Sequence, residues 1–251
     1  MRRNSSNSNM NYGLILAGGV GQRMRSSGMP KQFLEVFGKP IIIYTVEKFV
    51  SCEHIDRIVI ACTPGWMEHL SDLLKRYPAG KPVLVTAGGK DRQQSVENGL
   101  RFIEQQGGAP DDIVVIHDAV RPMVEPTVIT ENIRVAGQKG CCMTVRPVVE
   151  SVVITDSDHA RFEDIKKRDD TYSLTSPQTF RLSLLREIYG NNMQAVSPFP
   201  LLDAALSYTF RGNEIPLVKE FGHNIKVTTP EDFYILRSLL EVQENRAVFG
   251  L

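Results

Sequence analysis

The sequence predicts an α/β fold, with a doubly wound, mostly parallel sheet and an inserted β-hairpin. Short apolar segments, such as Arg57–Cys62, alternate with segments whose apolar residues recur at helical spacing, such as Trp66–Leu74. Strands separated by helices of this length indicate βαβ units and therefore a parallel sheet. The second observation is a break in this alternation at about residues 146–175, where the pattern is typical of a hairpin.

The predicted elements follow one another along the chain. The strands are expected at Tyr12–Leu16, Arg57–Cys62, Pro82–Thr86, Asp112–Ile116, Pro216–Lys219 and Asn224–Thr228, and the helices at Pro40–Phe49, Trp66–Leu74, Ser95–Ile103 and Pro230–Leu240. We expect the chain to be helical again from about Phe180. Thr229 is expected to cap the last helix, with Pro230 in its first position.

The hairpin is predicted from two extended segments, Val148–Thr155 and Ala160–Arg168, which flank the turn-forming residues Asp156–His159. An isolated two-stranded hairpin is barely stable in water, so it should pack on something. A second copy of the chain is a natural candidate.

The length and composition of the chain limit the classes of function that it can have. With 251 residues the chain is long enough to bury a core, and 29 basic residues balance 29 acidic ones, so no general attraction to nucleic acid or to a membrane is expected. No apolar run approaches the roughly 18 residues of a membrane span. The four cysteines show no C-x-x-C or zinc spacing, which favours a reduced, cytoplasmic protein. Residues 1–11 are expected to be a disordered tail before a single domain, 12–251.

A glycine-rich turn follows the first predicted strand. The segment reads Leu16-Ala-Gly-Gly-Val-Gly-Gln-Arg-Met24, and Pro30-Lys31-Gln32-Phe33 comes shortly after it. Glycines let the backbone bend tightly and bring its N–H groups against an anion. Because Arg23 and Lys31 add two cations just beyond the turn, the pattern predicts a site for a nucleoside triphosphate.

Other interpretations of this turn remain open. The P-loop motif needs Lys-Ser or Lys-Thr after its last glycine, and neither follows Gly21. A nicotinamide dinucleotide site needs a third small residue where Met24 stands. A plain strand–turn–helix, or a nucleotide-binding module without catalysis, would also have such glycines.

Three motifs are predicted to meet at one edge of the sheet. Ala17–Gly21, Gly88–Gly89 and Asp118 each follow a predicted strand. Ligands of open α/β sheets bind at the carboxyl ends of the strands, so these motifs indicate a single site.

The order of motifs resembles one enzyme family. Leu16–Met24 and Pro30–Phe33 are followed by Gly88-Gly-Lys-Asp-Arg-Gln-Gln-Ser95, His117-Asp-Ala-Val-Arg-Pro122, Ser176-Pro-Gln-Thr-Phe180 and Asn224-Ile-Lys-Val-Thr-Thr-Pro-Glu-Asp232. The chain resembles the cytidylyltransferases that act on methylerythritol 4-phosphate or ribitol 5-phosphate. The resemblance covers about Met10 to Leu240 and implies a Rossmann-like fold, CTP and a polyol phosphate as substrates, release of pyrophosphate and a need for Mg²⁺.

The resemblance also implies roles for individual residues. The catalytic set would be Arg23, Lys31, Lys226 and Asp118, with Asp118 also near the metal. The nucleotide would be bound by Leu16, Ala17, Gly18, Gly19, Gly21, Gly88, Gly89, Arg92 and Ser95. An aspartate after a strand could instead be a helix N-cap. His117 is interpreted as structural.

The acceptor would be bound by Asp118, Arg121, Ser151, Arg168, Ser176 and Lys226. In the family the hairpin is an arm that embraces a second subunit, so the resemblance implies a homodimer whose active sites are shared. Arg121 could equally be a salt-bridged structural arginine, and Arg168 could belong to a solvated basic run with Lys166 and Lys167.

Departures from the methylerythritol enzymes favour the ribitol type. Those enzymes usually open with Pro-Ala-Ala-Gly where this chain has Leu16-Ala-Gly-Gly19, and their arm has Asp-Thr-x-Lys where this chain has Glu150-Ser-Val-Val153. Leu202-Asp203 replaces a Thr-Asp pair. The acceptor expected is therefore ribitol 5-phosphate or a related polyol phosphate for a cell-surface polymer, with methylerythritol 4-phosphate of isoprenoid synthesis as the alternative.

Overall fold

A computed structural model describes residues 9–18, 28–190 and 204–250 of the chain, and its strands and helices alternate as expected. The strands are β1 (Asn11–Ala17), β2 (Glu35–Val36), β3 (Lys39–Pro40), β4 (Arg57–Cys62), β5 (Val83–Ala87), β6 (Ile113–Asp118), β7 (Cys141–Pro147), β8 (Val152–Thr155), β9 (Phe162–Lys166), β10 (Tyr172–Arg181) and β11 (Leu217–Lys219). The helices are α1 (Ile41–Ser51), α2 (Met67–Arg76), α3 (Arg92–Gln105), α4 (Pro126–Lys139), α5 (Leu182–Gly190), α6 (Ala204–Phe210) and α7 (Pro230–Phe249).

The main sheet has seven strands in the order β11-β7-β10-β6-β1-β4-β5. Strand β1 runs parallel to both of its neighbours, with Leu16 opposite Asp118 on β6 and Ala17 opposite Cys62 on β4. Only β10 runs antiparallel to its neighbours in this sheet. The expectation of a mostly parallel sheet is confirmed, and the carboxyl ends of β1, β4 and β6 lie at one edge.

Helices cover both faces of the sheet, as a doubly wound fold requires. One buried cluster joins Ile15 of β1 to α1, α2 and α4, and the other joins Leu14 of β1 to α3, α5 and α6. Neighbouring residues of β1 point to opposite faces because side chains alternate along a strand. Each aliphatic side chain that becomes fully buried contributes on the order of 1.5–3 kcal/mol.

A glycine sets how closely α3 approaches the sheet. A Cβ atom at Gly99 would lie 2.5 Å from Leu14 Cδ1, well inside van der Waals contact. Since α3 begins at Arg92 and holds Ser95 in its first turn, this close approach places both residues beside the end of β1.

The helix expected from about Phe180 begins at Leu182 as α5, but the strand before it, β10 (Tyr172–Arg181), was not predicted. Strand β10 lies inside the sheet between β6 and β7. Proline is rare in central strands, so Pro177 disguises this one in the sequence. The structure accommodates it with a shift in the pairing with β7 between Leu174 and Gln178.

Two other predictions, a strand at Asn224–Thr228 and the length of the N-terminal tail, differ from the structure. Asn224–Thr228 is not a strand; its backbone pairing is limited to single bonds such as Val227 N–H to Val120 O, 2.9 Å. The predicted tail is too long by at least two residues, because Asn11 belongs to β1 and the Met10 N–H donates to Asp112 Oδ1 at 2.7 Å. Residues 1–8 lie outside the described part of the chain.

The hairpin is confirmed, with shorter strands than expected. Strands β8 and β9 pair antiparallel in a separate two-stranded sheet. The Asp156 side chain closes the turn by accepting hydrogen bonds from the N–H groups of Ala160 and Arg161. Large apolar side chains on and beside the hairpin are exposed, namely Val149, Val153, Ile154, Phe162 and Ile165.

The last helix begins as predicted and runs further. The Thr229 side chain accepts from Asp232 N, and the Asp232 side chain accepts from Thr229 N, so the two form a capping box. Within residues 9–18, 28–190 and 204–250, no helix combines the length and apolar character needed to cross a bilayer.

Candidate active site

A cavity of about 260 Å³ opens at the carboxyl edge of the sheet. It lies where β1 and β6 end, between the segment that contains Lys31, the start of α3 and the segment that contains Lys226. The structure thus brings together residues from five of the six sequence motifs. The lining residues are Leu16, Gly18, Lys31, Gln32, Lys90, Asp91, Arg92, Ser95, Asp118, Val120 and Lys226.

Asp118 is a nearly buried carboxylate among three cationic side chains. Lys226 Nζ lies 2.9 Å from its Oδ2, Arg121 Nε 3.5 Å from Oδ2, and Arg92 Nε 3.7 Å from Oδ1. Burial would raise the pKa of Asp118, but Arg92, Lys226 and Arg121 outweigh it and hold the pKa well below its usual range. Asp118 is therefore ionised. It is the last residue of β6 and caps no helix.

Gly18 and the first turn of α3 form the cavity wall next to β1, and Gly89 is bonded to this wall through Ser95. Ser95 Oγ donates to Asp91 O at 2.8 Å and accepts from Gly89 N at 3.0 Å. A Cβ at Gly18 would lie 2.9 Å from Ser95 Oγ, so only glycine fits between β1 and α3 at this point. The Ser95 hydroxyl thus fixes the backbone at Gly89 next to the start of α3.

Gly88 and Ala17 support this wall without lining the cavity. The Gly88 N–H donates to Cys62 O at 2.6 Å, which ties the end of β5 to the end of β4. Ala17 O accepts from the buried Gln32 side chain at 2.8 Å.

Gln32 belongs to the Pro-Lys-Gln-Phe motif, but no role was predicted for it. Its side chain is 1% exposed and bonds to the last residue of β1, while Phe33 stacks on Trp66 with ring centroids 5.1 Å apart. Gln32 and Phe33 follow Lys31 directly, so their contacts fix where the Lys31 side chain enters the cavity. The signal in the sequence that could have indicated this role is a glutamine next to a lysine in the Pro-Lys-Gln-Phe motif.

Lys90 and Asp91 also line the cavity, although neither was predicted as a site residue. Asp91 caps α3 by accepting from Gln94 N at 2.8 Å, and the Lys90 N–H donates to Gln94 Oε1 at 2.8 Å. An aspartate followed three residues later by glutamine is a helix-start signal in the sequence. Lys90 adds a further cation to the cavity wall.

Arg121 and Ser176 lie beneath the cavity and do not line it. Ser176 is 2% exposed, and its hydroxyl lies 2.9 Å from His117 Nδ1. Arg121 Nη1 donates to Asn224 O at 2.7 Å. Burial lowers the pKa of His117 to about 4, so its imidazole is neutral at pH 7.

The arm residues lie elsewhere. Arg168 Nη2 donates to Ser151 Oγ at 3.4 Å, both side chains are exposed, and neither lines the cavity of this chain. The predicted site residues Gly19, Gly21 and Arg23, and the departure at Leu202-Asp203, lie outside the described residues.

The residues fit Mg²⁺ as an ion held mainly by its substrate. In the described part of the chain, no group of three or more His, Cys, Asp or Glu side chains could hold a metal. Mg²⁺ in nucleotide sites commonly takes one or two carboxylates and completes its shell with phosphates and water. The ionised Asp118 at the cavity would be one such oxygen ligand.

Comparison with known proteins places the chain in a family. The sequence model of the family described as "IspD: 2-C-methyl-D-erythritol 4-phosphate cytidylyltransferase" matches residues 12–242. Ribitol-5-phosphate cytidylyltransferases from Streptococcus agalactiae serotype III (strain NEM316) and Vibrio parahaemolyticus are each 38% identical to this chain, over 96% of it and 100% of their own length. The enzyme of that name from Lactiplantibacillus plantarum is 35% identical over 92% of this chain and 99% of its own length.

Solved structures agree with the fold. The 2-C-methyl-D-erythritol 4-phosphate cytidylyltransferase of Francisella tularensis is 26% identical and superposes with a TM-score of 0.70, over 92% of this chain and 99% of that one. The 4-diphosphocytidyl-2C-methyl-D-erythritol synthase of Anaerococcus prevotii reaches 0.78 at 23% identity, over 93% and 96%. Together with the family match over nearly the whole chain, these relatives show that the protein belongs to the IspD cytidylyltransferase family and is a nucleotidyltransferase.

Proposed function

We propose that the protein transfers the cytidylyl group of CTP to ribitol 5-phosphate, giving CDP-ribitol and pyrophosphate. The observation that carries the proposal is the ionised Asp118 at the base of a cavity that also presents Lys31, Arg92 and Lys226. The relatives named for ribitol 5-phosphate are 35–38% identical over nearly the whole chain, which supports this acceptor over methylerythritol 4-phosphate.

The chemistry needs positioning and electrostatics more than a covalent nucleophile. A phosphate oxygen of the acceptor attacks the α-phosphorus of CTP, and the bond to the departing pyrophosphate breaks. Two anions must approach, and negative charge builds on the phosphoryl oxygens. In this proposal Lys31, Arg92 and Arg23 bind the triphosphate, and Lys226 holds the acceptor phosphate in line.

The nucleotide base is proposed to lie against the wall formed by Gly18, Gly89 and Ser95. The absence of side chains at the two glycines leaves backbone groups available to a base edge. Arg121 and Ser176, which lie beneath the cavity, are proposed to support the acceptor side through Asp118 and the segment next to Lys226. Mg²⁺, held by Asp118 together with phosphate oxygens, would neutralise part of the triphosphate charge when bound.

We further propose a homodimer through the hairpin arm, with Ser151 and Arg168 reaching the cavity of the other copy. Support comes from the exposed apolar side chains of the arm, among them Phe162 at 63% and Ile165 at 57% exposure. Side chains of this size are normally buried against a partner surface when they cluster. The four cysteines are buried and free, which agrees with the proposed cytoplasmic location.

The test is pyrophosphate release with CTP and Mg²⁺ across a panel of acceptors. The proposal expects the highest kcat/KM with ribitol 5-phosphate. A preference for methylerythritol 4-phosphate would assign the protein to the alternative reaction, and silence with every polyol phosphate would refute the proposed function. Omitting Mg²⁺ should abolish release, and Lys31→Ala should depress it while the exposed control Lys139→Ala does not.

A further inference from the structure

A closed ring of buried hydrogen bonds lies beneath Asp118 and Lys226. Ser176 Oγ bonds to His117 Nδ1 at 2.9 Å, His117 Nε2 bonds to Arg121 O at 3.0 Å, Arg121 Nη1 donates to Asn224 O at 2.7 Å, and Asn224 Nδ2 donates to Ser176 O at 2.7 Å. We call these four residues the polar ring. They come from β6, the turn after it, β10 and the segment before α7, so the ring joins four parts of the chain.

The directions of these bonds are fixed by chemistry. A carbonyl oxygen can only accept, so His117 Nε2 carries the proton and donates to Arg121 O. The Nδ1 atom then accepts from the Ser176 hydroxyl. Each bond of the ring therefore has a defined donor, and the ring holds one arrangement.

Glu220 extends the ring at Asn224. Its side chain is 2% exposed, its Oε2 accepts from Asn224 Nδ2 at 2.9 Å, and its own N–H donates to Val145 O at 2.9 Å, just beyond the end of β11. Asn224 is 1% exposed. Asn224 is thus tied on one side to the sheet through Glu220 and on the other to β10 through Ser176.

The segment that carries Lys226 is clamped at both ends. Asn224 is fixed by the ring and Glu220, and Val227 N–H donates to Val120 O at 2.9 Å. Lys226 lies between these anchors, with its Nζ 2.9 Å from Asp118 Oδ2. A lysine is a point charge on a flexible stem, so its placement depends on how firmly its backbone is held.

We propose that Glu220 and Asn224 are positioning residues for cytidylyl transfer, which hold the segment 224–227 so that Lys226 is aligned with Asp118. The inference rests on the proposed function. It assigns to two buried side chains outside the cavity an effect on the rate of the chemical step. The base-binding wall at Gly18, Gly89 and Ser95 is built from other elements, so CTP affinity should be left nearly unchanged.

The experiment compares Glu220→Ala, Glu220→Gln and Asn224→Ala with wild type and with the control Asn132→Ala. Asn132 is also fully buried and bonds to Thr144 and Thr179, but it belongs to α4 and makes no bond to the ring. Three quantities are measured: kcat with ribitol 5-phosphate, the Kd of CTP by equilibrium binding, and hydrogen exchange at the amides of residues 225–228. The melting temperature of each variant is also measured, so that rates are compared between variants of similar stability.

The proposal expects kcat to fall on the order of tenfold to a hundredfold in Glu220→Ala and Asn224→Ala, because displacement of a reacting group by about 1 Å costs that much. The Kd of CTP should stay nearly constant, and exchange at residues 225–228 should become faster. Glutamine keeps an oxygen that can accept from Asn224 Nδ2, so Glu220→Gln should restore most of the rate. Asn132→Ala should lose stability and keep its kcat.

Unchanged kcat in both Glu220→Ala and Asn224→Ala would overturn the proposal, as would an equal loss in Asn132→Ala at the same melting temperature. If Asn224→Ala does not fold, the Glu220 pair decides. If wild type turns over no polyol phosphate, the proposed function fails, but hydrogen exchange still tests whether Glu220 and Asn224 hold the segment 224–227. Unchanged exchange at residues 225–228 in the Glu220→Ala variant would then refute this positioning role.

Discussion

Asp118 faces more positive charge than it can neutralise, and this imbalance defines the candidate site at the scale of residues. Three cations lie within 4 Å of a single carboxylate, which leaves net positive charge for an incoming polyphosphate. The resemblance implied that Asp118, Arg121, Lys226 and Arg92 belong to one site. It did not indicate that the three cations would all lie against the same carboxylate.

Replacing Asp118 by asparagine should therefore lower turnover strongly. We expect a loss on the order of a hundredfold or more in kcat, since an electrostatic group at the reacting phosphates is removed. Asp112→Asn is the matched control, because Asp112 is also a buried aspartate and lies directly before the opposite end of β6, where it accepts from Met10 N. Steady-state kinetics per folded molecule would contradict the assignment if the two variants lost equal activity.

His117 predicts how stability depends on pH. Its folded pKa is lowered from 6.5 to about 4, so the unfolded chain binds more protons between these values. The free energy of unfolding should therefore fall as pH drops from about 6.5 towards 4, by up to about 3 kcal/mol from this group. Urea denaturation at several pH values measures the slope.

The control for this pH dependence is His117→Asn, which cannot titrate. Its slope between pH 6.5 and 4 should be smaller than that of wild type. An equal slope would assign the pH dependence to other groups. Asp118 contributes in the opposite range: its folded pKa is depressed, so its stabilisation is present at neutral pH and is lost only as strong acid protonates it.

At the scale of elements, the distance between α3 and β1 sets the shape of the cavity wall formed by Gly18 and the first turn of α3. Gly99 permits that distance, because a methyl group there would meet Leu14 Cδ1 at 2.5 Å. The sequence showed Gly99 only as a glycine inside a predicted helix. Its packing partner lies 85 residues earlier, on a different element, and could not be read from local periodicity.

Gly99→Ala should push α3 outwards and carry Ser95 and Arg92 with it. We expect a loss of about 1–3 kcal/mol in unfolding free energy and a weaker affinity for CTP. Gly137→Ala is the matched control in α4, where nothing lies within 4 Å of the added Cβ, and it should stabilise by up to about 1 kcal/mol. Urea denaturation and CTP titration of both variants check this. Equal effects would contradict the packing argument.

At the scale of the whole molecule, the arm residues lie apart from the cavity of their own chain. Ser151 and Arg168 contact each other and not the lining residues, although the resemblance gave them a role in acceptor binding. The proposed homodimer would place both residues in the cavity of the other copy, where they could bind the acceptor. The arm would then bury its exposed apolar side chains against the second copy.

Mixing two inactive variants tests this arrangement. Arg168→Ala should damage the arm and Lys226→Ala the cavity, so each homodimer is impaired at both sites. A mixed dimer has one intact site, and subunit exchange should restore activity to about a quarter of that of wild type for random C2 pairing. No recovery after demonstrated exchange would mean that each site is completed within one chain. Sedimentation with Ile165→Asp would show whether the arm holds the dimer.

The sequence by itself determined the strands β1, β4, β5 and β6, the glycines of the cavity wall, and the family to which the chain belongs. These follow from residues that are close along the chain, because apolar periodicity, turn residues and short motifs are local signals. Lys31, Asp118 and Lys226 were assigned to the site through the resemblance that the short motifs carry.

Only the tertiary structure decided the insertion of β10 beside β6, the anchoring of Lys31 by Gln32, and the polar ring that holds Asn224. Each depends on partners that are distant in sequence, as Asn224 and Ser176 are 48 residues apart. A buried polar side chain gains its stabilising bond only after the sheet has brought its partner to it. For this reason, residue patterns can reveal which groups the site uses, but only the packed strands fix how those groups are held.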